Sequence, residues 1–117
     1  MFIATGVDLA RIDRLAALST NERFLRRVFS TTEIDDGRPA HLAGIFAAKE
    51  AIFKALNVPP RWRCVTIVRG VNGRPRVLLD PSALVPRLRS VDVSISHEGP
   101  FAVAVAVAVF DGDRESA

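Results

Sequence analysis

Two acids and two lysines carry most of the chemistry this chain offers. Asp8 and Glu50 lie 42 positions apart, and Lys49 and Lys54 flank Glu50 on an apolar stretch. Of the 16 lysines and arginines only these two are lysine, which leaves 14 arginines. Two compact ammonium groups beside a carboxylate suit point charges aimed at phosphate and metal, where arginine would offer a planar fork. Two hard oxygen ligands with open positions suit Mg²⁺, which keeps waters and completes its shell with phosphate oxygens. The same spacing admits a plainer assignment. Asp8 caps the helix that follows it, Glu50 pairs with Lys54 at i+4 for roughly 0.2–0.5 kcal/mol, and both lysines cover apolar neighbours with their stems.

His97 ends the stretch Ser94-Ile95-Ser96, where it can touch a ligand phosphate or base or serve as a structural turn histidine. Arg11, Arg14, Arg23, Arg26 and Arg27 make the first 30 residues basic. That surface fits an acidic helical partner or a solvated helix face; aromatic residues are not interleaved as an RNA-stacking surface needs. Cys64 reads as a small buried side chain. There is no glycine-rich phosphate loop, nucleophile elbow or Ser/His/Asp triad pattern.

The elements that must position these residues follow from periodicity. Ile3–Val7 reads as a strand ending at Gly6-Val7-Asp8, and Leu9, Ile12, Leu15 and Ala16 recur at helical spacing to Leu18. A second helix covers Asn21–Phe29, and Ser30-Thr31-Thr32-Glu33 has the form of a capping box, giving a short helix through Ile34 that Arg38-Pro39 ends. The longest helix runs from about His41 to Leu56, with five alanines and only three charges, Lys49, Glu50 and Lys54. A helix so apolar has no ordinary solvated face and belongs at the centre of the fold. Asn57-Val58-Pro59-Pro60 stops it. Val65–Gly70 and Arg76–Leu79 flank Asn72-Gly73 as a hairpin, Pro81–Leu88 is a turn or short helix, Val91–Ser96 alternates as a strand, and His97-Glu98-Gly99-Pro100 turns. Phe101–Phe110 is a strand apolar on both faces, whose alanine side needs the central helix or another subunit to cover it.

Length and composition bound the answer. At 117 residues, 49% hydrophobic and 25% charged, the chain forms one globular domain, residues 1–110, with a polar tail Asp111–Ala117. A net charge of +3 and a pI near 10.0 favour an anionic partner. One cysteine allows no internal disulfide, and no Cys/His spacing fits zinc. The start lacks a basic n-region and meets an acid at position 8, unlike a secretory signal. Phe101–Phe110 is half a membrane span. The expectation is a soluble, cytoplasmic protein with neither a membrane nor a nucleic-acid partner.

Gly6-Val7-Asp8-Leu9, Ile12-Asp13-Arg14, Leu42-Ala43-Gly44-Ile45-Phe46-Ala47-Ala48-Lys49-Glu50-Ala51, Lys54-Ala55-Leu56, Gly73-Arg74-Pro75 and Val93-Ser94-Ile95-Ser96-His97 together resemble the holo-acyl-carrier-protein synthase family, the short 4′-phosphopantetheinyl transferases. The resemblance spans Ile3 to Val109. It implies an α+β fold with an antiparallel sheet packed on a long central helix, Mg²⁺ held by Asp8 and Glu50, and a homotrimer binding coenzyme A between subunits. It implies transfer of the 4′-phosphopantetheine arm of coenzyme A to a serine of an apo acyl carrier protein, releasing adenosine 3′,5′-bisphosphate. Glu50, Lys54 and Asp8 would be catalytic, and Lys49, Lys54 and His97 would contact coenzyme A. Arg14, Arg23 and Arg27 would meet the acidic carrier. The serine's proton acceptor is either Glu50 or a metal-bound water, because a carboxylate on Mg²⁺ is a poor base.

The chain departs from the family pattern at Ile45, where an arginine is usual, at His41, usually aromatic, at Cys64, usually near an aspartate, and at the Pro59-Pro60 loop, with Arg61 or Arg63 as candidate replacements for the missing cation. The carrier is left open between a fatty-acid pathway and a specialised polyketide or peptide one. The rival from another class is a non-catalytic oligomeric module holding an acidic protein or RNA on its arginine surface.

Overall fold

The computed structural model describes residues 1–34, 37–83 and 85–116. Its first strand, β1 (Phe2–Arg11), pairs antiparallel with the last, β5 (Phe101–Phe110), from Phe2 opposite Phe110 to Arg11 opposite Phe101. β1 is longer than the sequence pattern predicts. Leu9 and Ala10 continue the outward and inward alternation, and the ladder keeps the backbone extended until α1 (Ile12–Leu18) begins. Asp8 therefore lies inside a strand instead of at a strand–helix junction, and the helix-cap assignment is wrong: Arg11 occupies the cap position of α1 and makes no side-chain cap bond.

The second helix, α2 (Glu22–Val28), follows the expected pattern, with Asn21 Oδ1 accepting from the amides of Arg23 and Phe24. The capping box forms as predicted at α3 (Thr31–Ile34). The Ser30 amide donates to Glu33 Oε1 at 2.8 Å while the Glu33 amide reaches Ser30 Oγ at 3.4 Å. Pro39 opens the central helix, α4 (Pro39–Leu56), two residues before the predicted start, since a helix's first position needs no N–H. Asn57, left-handed at φ 56°, ends it ahead of the two prolines.

Beyond α4 come the hairpin β2 (Val65–Arg69) and β3 (Pro75–Leu79), with positive φ at Asn72 and Gly73 as the turn requires. Turns fill residues 81–87, of which Leu84 lies outside the described residues. β4 (Leu88–Glu98) runs past the predicted Ser96, because His97 and Glu98 still pair with Ala102 and Phe101, and only Gly99-Pro100 turns. The main sheet has the order β1-β5-β4.

One face of that sheet receives α4. Ala102, Ala104, Ala106 and Ala108 of β5 are buried beneath it, and 13 of its 18 residues are themselves buried. Alanine lets a helix backbone come close to a sheet, so the alanine–valine alternation of β5 serves the central helix on one side. On the other side Ile3, Val7, Leu9, Val105 and Val107 stand 37–60% exposed. The helix flank away from the sheet packs on aromatics, with Trp62 stacked on Phe46 at 5.2 Å and meeting Phe53 edge-on at 5.5 Å. The tail folds back: Arg114 lies 5.1 Å from the centre of the Phe2 ring, and Ala117 lies outside the described residues. No described helix is long and apolar enough to cross a membrane.

Candidate active site

Asp8 meets α4 because of Gly6. A Cβ on Gly6 would sit 2.0 Å from the carbonyl oxygen of Ala51 and 2.8 Å from the amide nitrogen of Ala55, so β1 and α4 touch backbone to backbone there. Two residues further along the same strand face, Asp8 reaches the turn of α4 that carries Glu50 and Lys54. Lys54 Nζ donates to Asp8 Oδ1 at 3.1 Å and to the Val7 carbonyl at 3.0 Å. The Asp8 side chain is largely covered, at 13% exposure, while that of Lys54 is 56% exposed.

Glu50 completes the cluster. Its carboxyl is pushed above the ordinary glutamate range, first by burial, then by the charge of Asp8 and a side-chain hydrogen bond with it; Lys54 and Arg14 pull the other way. The two acids that the sequence separates by 42 positions are thus neighbours. Glu50 also lines a cavity of about 470 Å³ with Lys54, Asn57 and the Pro59-Pro60 loop. Such a pair of hard oxygen donors fits a small divalent cation. Among the described residues no third Asp, Glu, His or Cys joins it.

Lys49 does not belong here, contrary to the expectation that it contacts coenzyme A. It is completely buried, and its ammonium is held by Glu33 Oε1 at 2.8 Å, the Val28 carbonyl at 2.7 Å and the Trp62 carbonyl at 3.1 Å. Helical geometry is the reason: one residue along α4 is 100° of rotation, enough to carry Lys49 into the core while Glu50 faces the sheet edge. Burial pushes the Lys49 ammonium below its ordinary value, and Glu33 opposes that. The sequence pattern found Glu33 as a capping residue only.

His97 stands apart from the acid pair as well. Its Nε2 donates to the Ala40 carbonyl at 2.9 Å, and with His41, Gly44, Ile45 and Arg69 it lines a separate cavity of about 230 Å³ that shares no residue with the one at Glu50. Arg69, not singled out as a site residue, brings a guanidinium to this second cavity, and Ile45 supplies an apolar wall where the family pattern has an arginine. Neither arginine near the missing cation enters it: Arg63 donates to the Arg26 carbonyl at 2.7 Å, and Arg61 reaches the Ser82 carbonyl at 3.5 Å. Arg23 and Arg27 are exposed on α2 and border a shallow cavity with Asn21, Phe24 and Arg26. Arg14 lies 6.0 Å from the Phe46 ring centre, and its charge reaches Glu50.

Residues 4–106 match the profile of the 4′-phosphopantetheinyl transferase superfamily. The chain belongs to that superfamily. The holo-[acyl-carrier-protein] synthase of Frankia casuarinae is 40% identical to it over 113 residues, 91% of this chain and 96% of the relative. That of Desulforudis audaxviator is 40% identical over 99% of this chain and 98% of its own length. Among solved structures, the Helicobacter pylori holo-[acyl-carrier-protein] synthase in complex with coenzyme A superposes with a TM-score of 0.84 at 30% identity, covering 90% of this chain and 99% of that one. The Mycobacterium tuberculosis acyl carrier protein synthase does so with a TM-score of 0.73 at 32% identity, over 92% and 96%. The α+β architecture, three antiparallel strands packed on one long helix, is one this chain shares with those solved structures, and the acid pair sits where that helix crosses β1.

Proposed function

We infer that this chain is a holo-[acyl-carrier-protein] synthase, moving the 4′-phosphopantetheine arm of coenzyme A to a serine of an apo acyl carrier protein and releasing adenosine 3′,5′-bisphosphate. The observation that carries the reading is the convergence of Asp8, Glu50 and Lys54 on one seam, in a chain whose relatives bear that enzyme's name. Asp8 and Glu50 would hold Mg²⁺, which when bound neutralises the diphosphate and stabilises negative charge on the departing oxygen. Lys54 balances Asp8 and keeps its ammonium half in solvent, where it can also meet a phosphate oxygen. Glu50 and Asp8 turn their repulsion into affinity for a cation. The direct test mixes the chain with coenzyme A, Mg²⁺ and an apo carrier and weighs the carrier by mass spectrometry. A mass increase of one arm that needs all components supports the reading; binding without any mass gain favours the non-catalytic module.

Two half-sites in one chain point to assembly. The cavity of His97, His41 and Arg69 and the acid cavity of Glu50 and Lys54 are separate in a single copy, and the valine face of the sheet is uncovered. We propose that copies pack these faces together, as a trimer by resemblance, so that His97 of one copy and Lys54 of the next grip the same coenzyme A. Val105, at the middle of the exposed face between Val7 and Ser94, is the place to probe this. Val105→Asp is expected to yield a folded monomer by light scattering with transfer lost; an unchanged assembly with full activity would contradict it.

The carrier would dock on Arg14, Arg23 and Arg27. Because Arg14 also acts on Glu50, the cleaner variant is Arg23→Ala with Arg27→Ala. It is expected to raise the Michaelis constant for the carrier about 3- to 10-fold and to flatten its salt dependence, leaving that for coenzyme A within about twofold. Equal changes in both constants would remove the interface role. A reducing, coenzyme A-containing cytoplasm suits the one free thiol, Cys64.

A further inference from the structure

The Glu33–Lys49 pair holds more of the molecule together than an ion pair needs to. All three protons of the Lys49 ammonium have acceptors: Glu33 Oε1, the last carbonyl of α2 at Val28, and the Trp62 carbonyl. Glu33 in turn accepts from the Ser30 amide through Oε1 and from the Ile67 amide of β2 through Oε2, at 2.8 and 2.7 Å. One node ties α2, α3, α4, the turn at Trp62 and β2, and both side chains are at 0% exposure. Burying such a pair is a poor way to gain stability, because desolvation consumes most of the attraction and an apolar pair of similar volume does about as well.

What the node supplies is direction. α4 is apolar nearly all round, so shape alone tells its faces apart, with small residues toward the sheet and Phe46 and Phe53 on Trp62; the ion pair adds a directional contact to that packing. On the sheet side it rests on the small residues Gly6, Ala104, Ala106 and Ala108, which fix distance, with Ile95 against Gly44 as a larger contact. Lys49 lies about 200° round the helix from Ala51, where the Gly6 contact is made, and Glu50 lies about 100° from each. With side chains reaching about 5–6 Å from the axis, a rotation of about 10° shifts Glu50 by about 1 Å. It would shift the Lys49 ammonium as far, off three acceptors at once.

We propose that Glu33 and Lys49 are positioning residues, the buried pair setting the rotation of α4 and thereby aiming Glu50 at Asp8. This inference rests on the reading that Asp8 and Glu50 hold a divalent cation. It gives the adjacent residues of the Lys49-Glu50 dipeptide opposite duties: one is locked in the core so that the other is correctly presented.

The test replaces the pair without leaving a lone charge, as Lys49→Met with Glu33→Gln and, separately, Lys49→Gln with Glu33→Gln. Phe2→Ala, at the far end of β1 from Asp8, is the control for general destabilisation. Mg²⁺ binding by calorimetry, well below each melting temperature, is the readout. At least one pair variant should unfold cooperatively, yet bind Mg²⁺ about 10- to 100-fold more weakly than wild type and turn over correspondingly more slowly. The Phe2→Ala control should bind as wild type does. Tight wild-type binding with unchanged affinity in a folded pair variant overturns the positioning claim alone. Failure of both pair variants to fold also overturns it, since the pair would then serve stability and not orientation. A wild-type protein that takes up no Mg²⁺ overturns the acid-pair reading as well.

Discussion

Glu50→Gln is expected to lower transfer by at least about 100-fold while the metal-free protein stays folded and becomes more stable at neutral pH. The loss follows from removing one of two oxygen donors whose charge gives the cation its hold and the transition state its stabilisation. The gain follows from the direction of the Glu50 shift. Its folded-state affinity for protons is raised by burial and by Asp8, so ionising it costs the fold. That glutamate's favourable share is fully present below the unfolded carboxyl value and fades as pH climbs through the raised one. Glutamine never ionises. At neutral pH the variant therefore escapes the cost of burying a charge and then the repulsion from Asp8, and its advantage over wild type should vanish in acid. Thermal melts with and without Mg²⁺ read both effects: wild type should gain stability from the cation and the variant should not. A variant that melts much lower without metal, or that still responds to Mg²⁺ as wild type does, would refute the assignment of Glu50 as a ligand.

Gly6→Ala should be the most damaging single methyl in the molecule. The added Cβ meets the Ala51 carbonyl oxygen at 2.0 Å and the Ala55 amide at 2.8 Å, both backbone atoms of the central helix that no rotamer change can move aside. Either β1 or α4 must retreat by about 1 Å, and overpacking of this kind costs about 1–3 kcal/mol, sometimes more. For a chain of this size that is a fall in melting temperature on the order of 5–20 °C. Activity should fall further than stability does, because the displaced strand carries Asp8 away from Glu50, and about 1 Å of misplacement at a reacting centre can cost about 100-fold. Melting temperature and transfer rate measured on one preparation separate the two effects. Near-normal activity in a stably folded Gly6→Ala protein would mean that the contact at Ala51 does not set the site.

Local signals in the chain carried the elements well and the site unevenly. The Ser30–Glu33 box, Asn57 before two prolines, and Asn72-Gly73 each act through bonds within a few residues, and each appears where the pattern puts it, while Asn21, read as the first helical residue, is the cap of α2. Strand ends were misplaced because pairing, not composition, decides them: β1 and β4 extend as far as β5 offers partners. That error made Asp8 look like a helix cap. Asp8, Glu50 and Lys54 do come together. Lys49 misled because a lysine next to a catalytic-looking acid reads as part of the same cluster, whereas its partner Glu33 is 16 residues away and was already explained as a cap. The contact of Gly6 with α4 could not be read from one sequence, since a glycine in a strand signals close approach without saying to what.

The most direct measurement is a crystal of the protein soaked in Mn²⁺ and coenzyme A and examined by anomalous scattering. One strong peak bridging the carboxylates of Asp8 and Glu50, within coordination distance of a coenzyme A phosphate, is the predicted result. A peak that touches only one of the two acids, or a map with coenzyme A bound and no metal between them, would contradict the account.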